Sequence, residues 1–254
     1  MLTLLRILKP NPMNLGIWIT SIVMLFGVLF FNWSAQSVIY AYIFETIIIG
    51  LIHIVKMILV VLFSEEEEKK KQEKGQLVGI YSVFFFCIHY FFFVTIQMLF
   101  VFQIMNIEYE NNQISSNFLE FGKNFKYLFS IPDMKEAYTL IFAGNIYHTL
   151  KNYVIPKLYR KDTVAELFMQ PYLRVIVQQF VAILGGFFLI IANGAKAIAV
   201  ILIIVRTFVD LIGISISQNK LMVEKVYKVL YEEKKGRTEE QKQEIKRAIE
   251  KMFR

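Results

Sequence analysis

The sequence has little of what a soluble enzyme or a disulfide-stabilised protein needs. Its 254 residues include one cysteine, Cys87, which excludes an intramolecular disulfide and a paired-cysteine metal knuckle. It contains no HExxH, GxSxG, P-loop or glycine-rich dinucleotide pattern, so proteolysis, ester hydrolysis and nucleotide chemistry have no support in the sequence. Charged residues are also scarce, at 19% against about a quarter in a typical soluble domain.

Long apolar runs take the place of those features. Hydrophobic residues make up 56% of the chain, and 24 residues are phenylalanine. Five runs are long enough to cross a ~30 Å hydrocarbon core as helices, and polar residues interrupt a sixth. We therefore predict an all-α, polytopic membrane helical bundle of about six transmembrane helices, which occupy residues 15–31, 37–63, 77–102, 135–155, 172–191 and 195–214.

Lysine and arginine are distributed unevenly over the connections between these runs. Residues 64–74 form a highly charged, solvated segment, whereas residues 32–36 carry no charge. Most of the 28 basic residues fall on the same side as the charged segment, and the positive-inside rule places that side in the cytoplasm. Both termini are then cytoplasmic. Because this orientation accounts for the net charge of +7, we predict no nucleic-acid partner.

Two amphipathic segments complete the predicted organisation, in which residues 1–217 form the membrane domain. Apolar residues between 113 and 130 recur at helical spacing and predict an interfacial helix, which either lies on the outer membrane surface or packs against the protein itself. Residues 218–254 form a basic, amphipathic cytoplasmic tail with a capping box at Thr238. The tail either binds a partner, such as anionic lipid headgroups, or is a solvated extension.

Ionisable and amide side chains interrupt the apolar runs. A charge at mid-membrane costs roughly 2.5 to 3.5 kcal/mol on insertion scales, so such a residue indicates a site with a partner. With a rise of ~1.5 Å per residue, four predicted spans place a polar residue at a similar depth in the outer half of the membrane. The predicted polar intramembrane site consists of Glu45, His89, Asn145, Arg206 and Asp210.

A secondary group of polar residues in the same spans consists of His53, Lys56, Tyr90, Gln97 and Gln178. Lys56 lies within ~20° of Glu45 on one helical face, and it either joins the site or reaches the cytoplasmic surface. Arg206 and Asp210, spaced i, i+4, either belong to the site or satisfy each other. The three histidines lack ligand-type spacing, so we predict no metal and no cofactor.

Four segments together resemble a known family. They are FNWSAQSVIYAYIFETIIIGLIHIVKM (31–57), FFFCIHYFFF (84–93), PYLRVIVQQFVAILGGFF (171–188) and VRTFVDL (205–211). Their order and spacing resemble a mostly bacterial multi-pass family, numbered sixty-four ninety-eight among the domains of unknown function. The resemblance implies a bacterial inner-membrane location and a set of characteristic residues: Trp33, Tyr40, Glu45, Gly50, Lys56, His89, Tyr90, Pro171, Arg174 and Asp210.

The chain departs from that family where the resemblance leads us to expect further histidines. Gln97, Asn145 and Gln178 stand at those positions. Amides are poor ligands for transition metals, so a metal or haem held by such histidines in relatives is not expected here. The resemblance itself implies no activity.

Three classes of function are compatible with these features. The leading hypothesis is a small transporter, channel or accessory subunit whose polar layer handles a proton, an ion or a small solute. The alternatives are a structural membrane subunit, whose polar residues only join helices, and an intramembrane enzyme or cofactor-binding protein, for which the sequence offers neither nucleophile nor metal. Glu45 has no basic residue one helical turn away in either direction, which predicts a water-reachable cavity open toward the outer side.

Overall fold

All the regular secondary structure in the described part of the chain is helical. The computed structural model describes residues 9–11, 14–33, 35–64, 79–109, 120–130, 134–172, 175–176, 180, 195–218, 220–231 and 238–252. Its helices are α1 (Leu15–Phe30), α2 (Ala35–Phe63), α3 (Gly79–Tyr109), α4 (Phe121–Ser130), α5 (Lys135–Thr149), α6 (residues 164–172), α7 (Ala195–Gln218), α8 (Lys220–Tyr231) and α9 (Glu239–Met252). The all-α class predicted from the sequence is confirmed.

Local sequence explains how several helices begin and end. Asn32 adopts a left-handed φ of 56°, and the backbone N–H of Trp33 bonds back to the Gly27 carbonyl at 3.0 Å, which closes α1 before α2 begins. Thr163 and Glu166 form a reciprocal capping box at the start of α6, with side-chain to backbone bonds of 3.1 and 3.3 Å. α5 continues into a π-helical turn, Leu150–Val154.

Helix α2 is the centre of the bundle. Residues 38–50 of α2 are buried without exception, and α3, α5 and α7 all pack against it. A helix that is apolar on every side is expected to be surrounded by other helices. α1 packs on α5 and α7 and completes the group around the polar residues of α2.

The close approach of α2 and α3 depends on Gly50. A Cβ atom at this position would lie 2.1 Å from the buried ring of Tyr90, whose hydroxyl donates to the Thr46 carbonyl at 2.8 Å. Gly27 is equivalent at the end of α1, where a Cβ atom would lie 2.2 Å from the ring of Trp33. Because these two glycines have no side chain, an aromatic ring packs directly against the helix backbone at each position.

Aromatic rings close one end of the bundle. Tyr127 and Phe129 of α4 contact Tyr40 and Phe44 of α2, with centroids 6.0 and 5.8 Å apart, and Phe44 stacks on Tyr138 at 4.3 Å. We call these five residues the aromatic cover. Through these contacts α4 packs against α2. Residues 113–119 of the predicted interfacial helix lie outside the described part.

Helices α8 and α9 pack against each other and against α7. Val223, Tyr227 and Ile249 form a small buried cluster between them. Lys246 Nζ lies 2.5 Å from the Glu224 carboxylate and joins the two helices. The described part of the tail is therefore a pair of helices that packs on α7.

Two described helical segments, Ser37–Phe63 and Gly79–Phe102, are long and apolar enough to cross a membrane, and Leu15–Phe30 is apolar but shorter. Length and composition thus support two candidate spans. The predicted span 135–155 corresponds to α5 and the π turn, and 195–214 lies within α7. Most of the predicted span 172–191 lies outside the described residues.

Candidate functional site

A cavity of about 240 Å³ lies between α1, α2, α5 and α7, with the end of α6 at its edge. The residues of α2 that line it are Tyr42, Glu45, Ile49, Ile52, His53 and Lys56, which share one helical face. At ~1.5 Å per residue, they extend ~21 Å along the helix axis. Polar lining residues of the other helices include Ser21, Asn145, His148, Gln170, Arg206 and Asp210.

An ion-paired cluster lies at the buried end of the cavity. Arg206 Nη2 donates to Glu45 Oε2, and Arg206 Nε lies 3.4 Å from Asp210 Oδ2. The guanidinium carbon lies 4.1 Å from the ring centroid of Tyr42, a cation–π geometry. Glu45 is 3% exposed and Arg206 5% exposed. Two carboxylates and an aromatic face therefore hold one guanidinium between α2 and α7.

Basic groups line the other part of the cavity. His53 Nδ1 lies 2.8 Å from the Ile49 carbonyl oxygen. A carbonyl can only accept, so Nδ1 carries the proton and Nε2 is the basic nitrogen of the neutral ring. Lys56 Nζ lies 4.8 Å from the ring centroid of Tyr153, and His148 lines the cavity from α5.

Hydroxyl groups join α1 to α7 beside the cavity. Thr207 Oγ1 donates to the Ile203 carbonyl at 2.6 Å, so the 2.6 Å contact between Ser21 and Thr207 has the Ser21 hydroxyl as donor. Asn145 donates its amide N–H to the Ile141 carbonyl at 2.8 Å. The polar wall residues are thus oriented by bonds to their own or neighbouring helices.

Burial changes along the cavity. Tyr42, Glu45 and Arg206 are buried, whereas Lys56, His148 and several neighbouring lining residues are only half-buried. The wall is therefore most buried around Tyr42 and Glu45, although His53 is buried too and Asp210 is half-buried. Its more accessible part lies toward the carboxyl ends of α2, α5 and α7.

The structure brings most of the predicted site residues together. Glu45, Asn145, Arg206 and Asp210 all line the cavity. His89 does not. It lies on α3, where Nδ1 is 2.6 Å from the Tyr172 hydroxyl and the ring stacks on Phe85 at 5.5 Å. α3 is apolar on all sides, so the sequence indicates the depth of His89 but not the direction in which it points.

The secondary residues divide in the same way. His53 and Lys56 line the cavity, whereas Tyr90 packs on Gly50 and Gln97 is buried elsewhere on α3. Gln178 lies outside the described residues. Sequence reasoning missed His148, although its i, i+3 spacing from Asn145 places both on one face of α5.

Metal binding requires several ligands in one place. Among the residues that the structure describes, no group of three or more His, Cys, Asp or Glu side chains is arranged to hold an ion. The cavity carries two imidazoles and two carboxylates, and both carboxylates are engaged by Arg206.

Comparison with known proteins assigns the chain to a family. The model of DUF6498, described as a family of unknown function, matches residues 3–243. The chain belongs to this family. The resemblance found in the sequence is thereby confirmed, and it extends over the cavity and both candidate membrane spans. Neither a curated protein nor a solved structure matches the chain.

Proposed function

We propose that this chain is an integral membrane carrier of about six spans, with both termini in the cytoplasm, and that the cavity at Glu45 is its solute site. One observation carries the proposal: a single elongated cavity joins a buried ion-paired cluster to a basic, half-buried end. Each ionisable group among its described lining residues is carried by α2, α5 or α7.

The outward faces of the helices support a membrane location beyond the two candidate spans. Large exposed apolar side chains follow helical spacing on α1 (Ile19, Ile22, Phe26, Leu29, Phe30), on α3 (Phe84, Ile88, Phe92, Ile96, Phe100) and on α7 (Ile201, Ile204, Val205, Phe208). Apolar faces of this extent are rare on soluble monomers. The polar residues face the cavity instead, which is the arrangement that a lipid environment requires.

Topology favours an inward-facing state. The half-buried end of the cavity lies at the carboxyl ends of α2, α5 and α7, the side to which the positive-inside rule assigns the cytoplasm. The aromatic cover closes the opposite end. The cavity is therefore proposed to open inward, in place of the outward opening expected from the sequence.

A carrier accounts for the cavity better than a structural subunit does. Polar residues that only join helices meet in direct contact, as Glu45 and Arg206 do. The other polar residues of α2 and α5 line an open cavity in addition to contacting their neighbours. At ~30 Å³ per water molecule, about 240 Å³ is room for roughly eight waters or for one small solute.

Accessibility of single cysteines tests the cavity directly. In a Cys87→Ala background, we expect Ile49→Cys and Thr149→Cys, both in the cavity wall, to react with a small impermeant thiol reagent added from the cytoplasmic side. Phe92→Cys, on the exposed apolar face of α3, is the matched control and should not react. Unreactive cavity cysteines would reject a solute site.

Measurement of solute uptake tests the proposed function itself. Proteoliposomes can be screened with a panel of labelled small metabolites, and Glu45→Gln should abolish the uptake that the wild-type protein supports while leaving the protein folded. Uptake that is unchanged by Glu45→Gln would favour the structural-subunit hypothesis instead.

A further inference from the structure

A turn that carries only basic charges lies at the carboxyl end of α2. We call residues 155–161 the basic turn; they follow the π turn of α5 and include the 3₁₀-helical segment Leu158–Arg160. This segment packs against α2, and the Tyr159 ring lies 6.0 Å from the ring of Phe63, the last residue of that helix. Because Ser37–Phe63 is one of the two candidate membrane spans, the basic turn lies at the end of a candidate span.

Backbone hydrogen bonds fix the conformation of the basic turn. Lys157 adopts a left-handed φ of 55°, and its N–H donates to the Val154 carbonyl at 3.0 Å. The N–H groups of Lys161 and Asp162 both donate to the Leu158 carbonyl, at 2.9 and 3.1 Å. The side chains of the turn therefore extend from a backbone that is held in place.

The basic side chains of the turn are accessible. Lys157, Arg160 and Lys161 are exposed, and none of the three has an ion pair or a side-chain hydrogen bond within the part of the chain that the structure describes. Residues 155–161 contain no acidic residue, and the acidic residue that follows them, Asp162, is buried. The turn therefore presents positive charge to its surroundings.

Large apolar side chains are exposed beside these charges. Ile155 is 73% exposed, and Leu62 and Phe63 are exposed at the adjoining end of α2. A membrane surface matches this combination, because apolar side chains enter the boundary of the acyl chains while basic side chains meet anionic headgroups. An acidic protein or a nucleic acid would match the charges alone and would leave the apolar side chains in water.

The proposed topology determines which leaflet the basic turn meets. In that topology α2 ends on the cytoplasmic side, and the cytoplasmic leaflet is the one that carries a negative surface potential. The guanidinium of Arg160 can bond two phosphate oxygens at once, and the ammonium groups of Lys157 and Lys161 add point charges.

We propose that the basic turn and the adjoining end of α2 bind the phosphate headgroup of an anionic phospholipid in the cytoplasmic leaflet. The inference rests on the membrane location and orientation stated in the proposed function, and it does not depend on the solute cavity. It assigns a ligand to a surface that the proposed solute site does not use.

Titration with labelled phosphatidylglycerol tests the inference on the full chain in mixed micelles of detergent and phosphatidylcholine. Each basic residue at an anionic membrane surface strengthens binding about fivefold, so Lys157→Gln, Arg160→Gln and Lys161→Gln together should raise the Kd roughly a hundredfold. The backbone bonds of the turn remain in this triple variant. Its thermal unfolding in phosphatidylcholine alone should therefore match that of the wild-type protein.

A charge-matched control separates the basic turn from the net charge of the chain. Lys225→Gln, Lys228→Gln and Arg247→Gln together remove three exposed positive charges from α8 and α9. This tail variant should bind phosphatidylglycerol as the wild-type protein does. Inorganic phosphate should not displace the lipid, because a free anion gains nothing from the exposed apolar side chains.

The inference is overturned if the wild-type protein does not prefer phosphatidylglycerol to phosphatidylcholine, or if the tail variant loses the preference and the turn variant keeps it. It is also overturned if inorganic phosphate displaces the lipid. Unchanged lipid binding in the turn variant overturns it as well, and this is the result expected if the acidic residues 65–68 of the same chain cover the turn.

A single cysteine distinguishes failure of the inference from failure of the proposed topology. In a Cys87→Ala background, Lys161→Cys should react with an impermeant thiol reagent from the cytoplasmic side. If it does so and the lipid preference is absent, only the lipid site is rejected. Reaction from the outer side would reject the proposed orientation, and the lipid site with it.

Discussion

Replacing Arg206 by methionine removes the cation shared by the two carboxylates of the cluster, the buried Glu45 and the half-buried Asp210. Methionine is similar in length and cannot donate to Glu45 or Asp210. Glu45 is 3% exposed, so water cannot replace the guanidinium without a rearrangement of α2 and α7. We expect Arg206→Met to be the most destabilising single substitution in the cavity.

The magnitudes follow from the geometry. Stranding one member of a buried ion pair costs ~3 to 5 kcal/mol, and Arg206→Met strands the buried Glu45, so its expected cost lies in that range. Glu45→Gln leaves Arg206 with Asp210 at 3.4 Å and with the Tyr42 ring, a cation–π contact of ~0.5 to 2 kcal/mol. Its expected cost is therefore lower, roughly 1 to 3 kcal/mol.

A triple variant separates electrostatics from packing. Glu45→Gln, Arg206→Met and Asp210→Asn together remove all three charges and keep similar volumes. Neutral replacements of buried ion pairs are often tolerated, so the triple variant should be more stable than Arg206→Met alone, by several kcal/mol. The assay is reversible unfolding in mixed micelles, with the free energy of unfolding taken from denaturant titrations. A loss below about 1 kcal/mol in Arg206→Met, or a triple variant less stable than that single one, would refute the reasoning.

Three further predictions concern packing, topology and the aromatic cover. Gly50→Ala should lower the free energy of unfolding by ~1 to 3 kcal/mol, because its Cβ would lie 2.1 Å from a buried tyrosine ring. Gly122 has open space around it, so Gly122→Ala should leave the free energy of unfolding unchanged in the same assay. Single cysteines at Gln36 and Glu66 should react with an impermeant reagent from opposite sides of the membrane, and labelling of both from one side would contradict the predicted topology. Phe44→Ala should let reagent added outside reach a cysteine in the cavity wall, and labelling confined to the cytoplasmic side would show that the cover does not seal that end.

Much of the fold follows from hydrophobic length and periodicity. The long apolar runs predict helices α1, α2 and α3, because an uninterrupted apolar run of that length is typical of a single long helix. The sequence does not predict how α4 and the α8–α9 pair dock. Amphipathic helices with one apolar face fit a membrane surface and a protein surface equally well, and only tertiary contacts such as Leu128 in the core decide between them.

The sequence predicts those features of the site that depend on how deep a residue lies along its helix. Depth along a helix follows from residue number, and it places Glu45 and Arg206 at one level, where the structure has them in contact. The direction in which a side chain leaves a helix can be predicted only where apolar residues concentrate on one face. α3 has no such face, so the sequence does not predict that His89 packs with Phe85 and Tyr172. The inward opening proposed for the cavity rests on the aromatic cover, a set of contacts between residues far apart in sequence.

The cover and the ion-paired cluster meet on consecutive residues of α2. Phe44 stacks on Tyr138 of α5, and the next residue, Glu45, accepts a bond from Arg206 of α7. Because neighbouring side chains on a helix differ by ~100° in direction, a rotation or shift of α2 that separates Phe44 from α5 also changes the distance from Glu45 to α7. A solute that competes for Arg206 would therefore weaken the contacts that keep the opposite end closed. A link of this kind between the two ends of the cavity is what the proposed carrier would need in order to alternate.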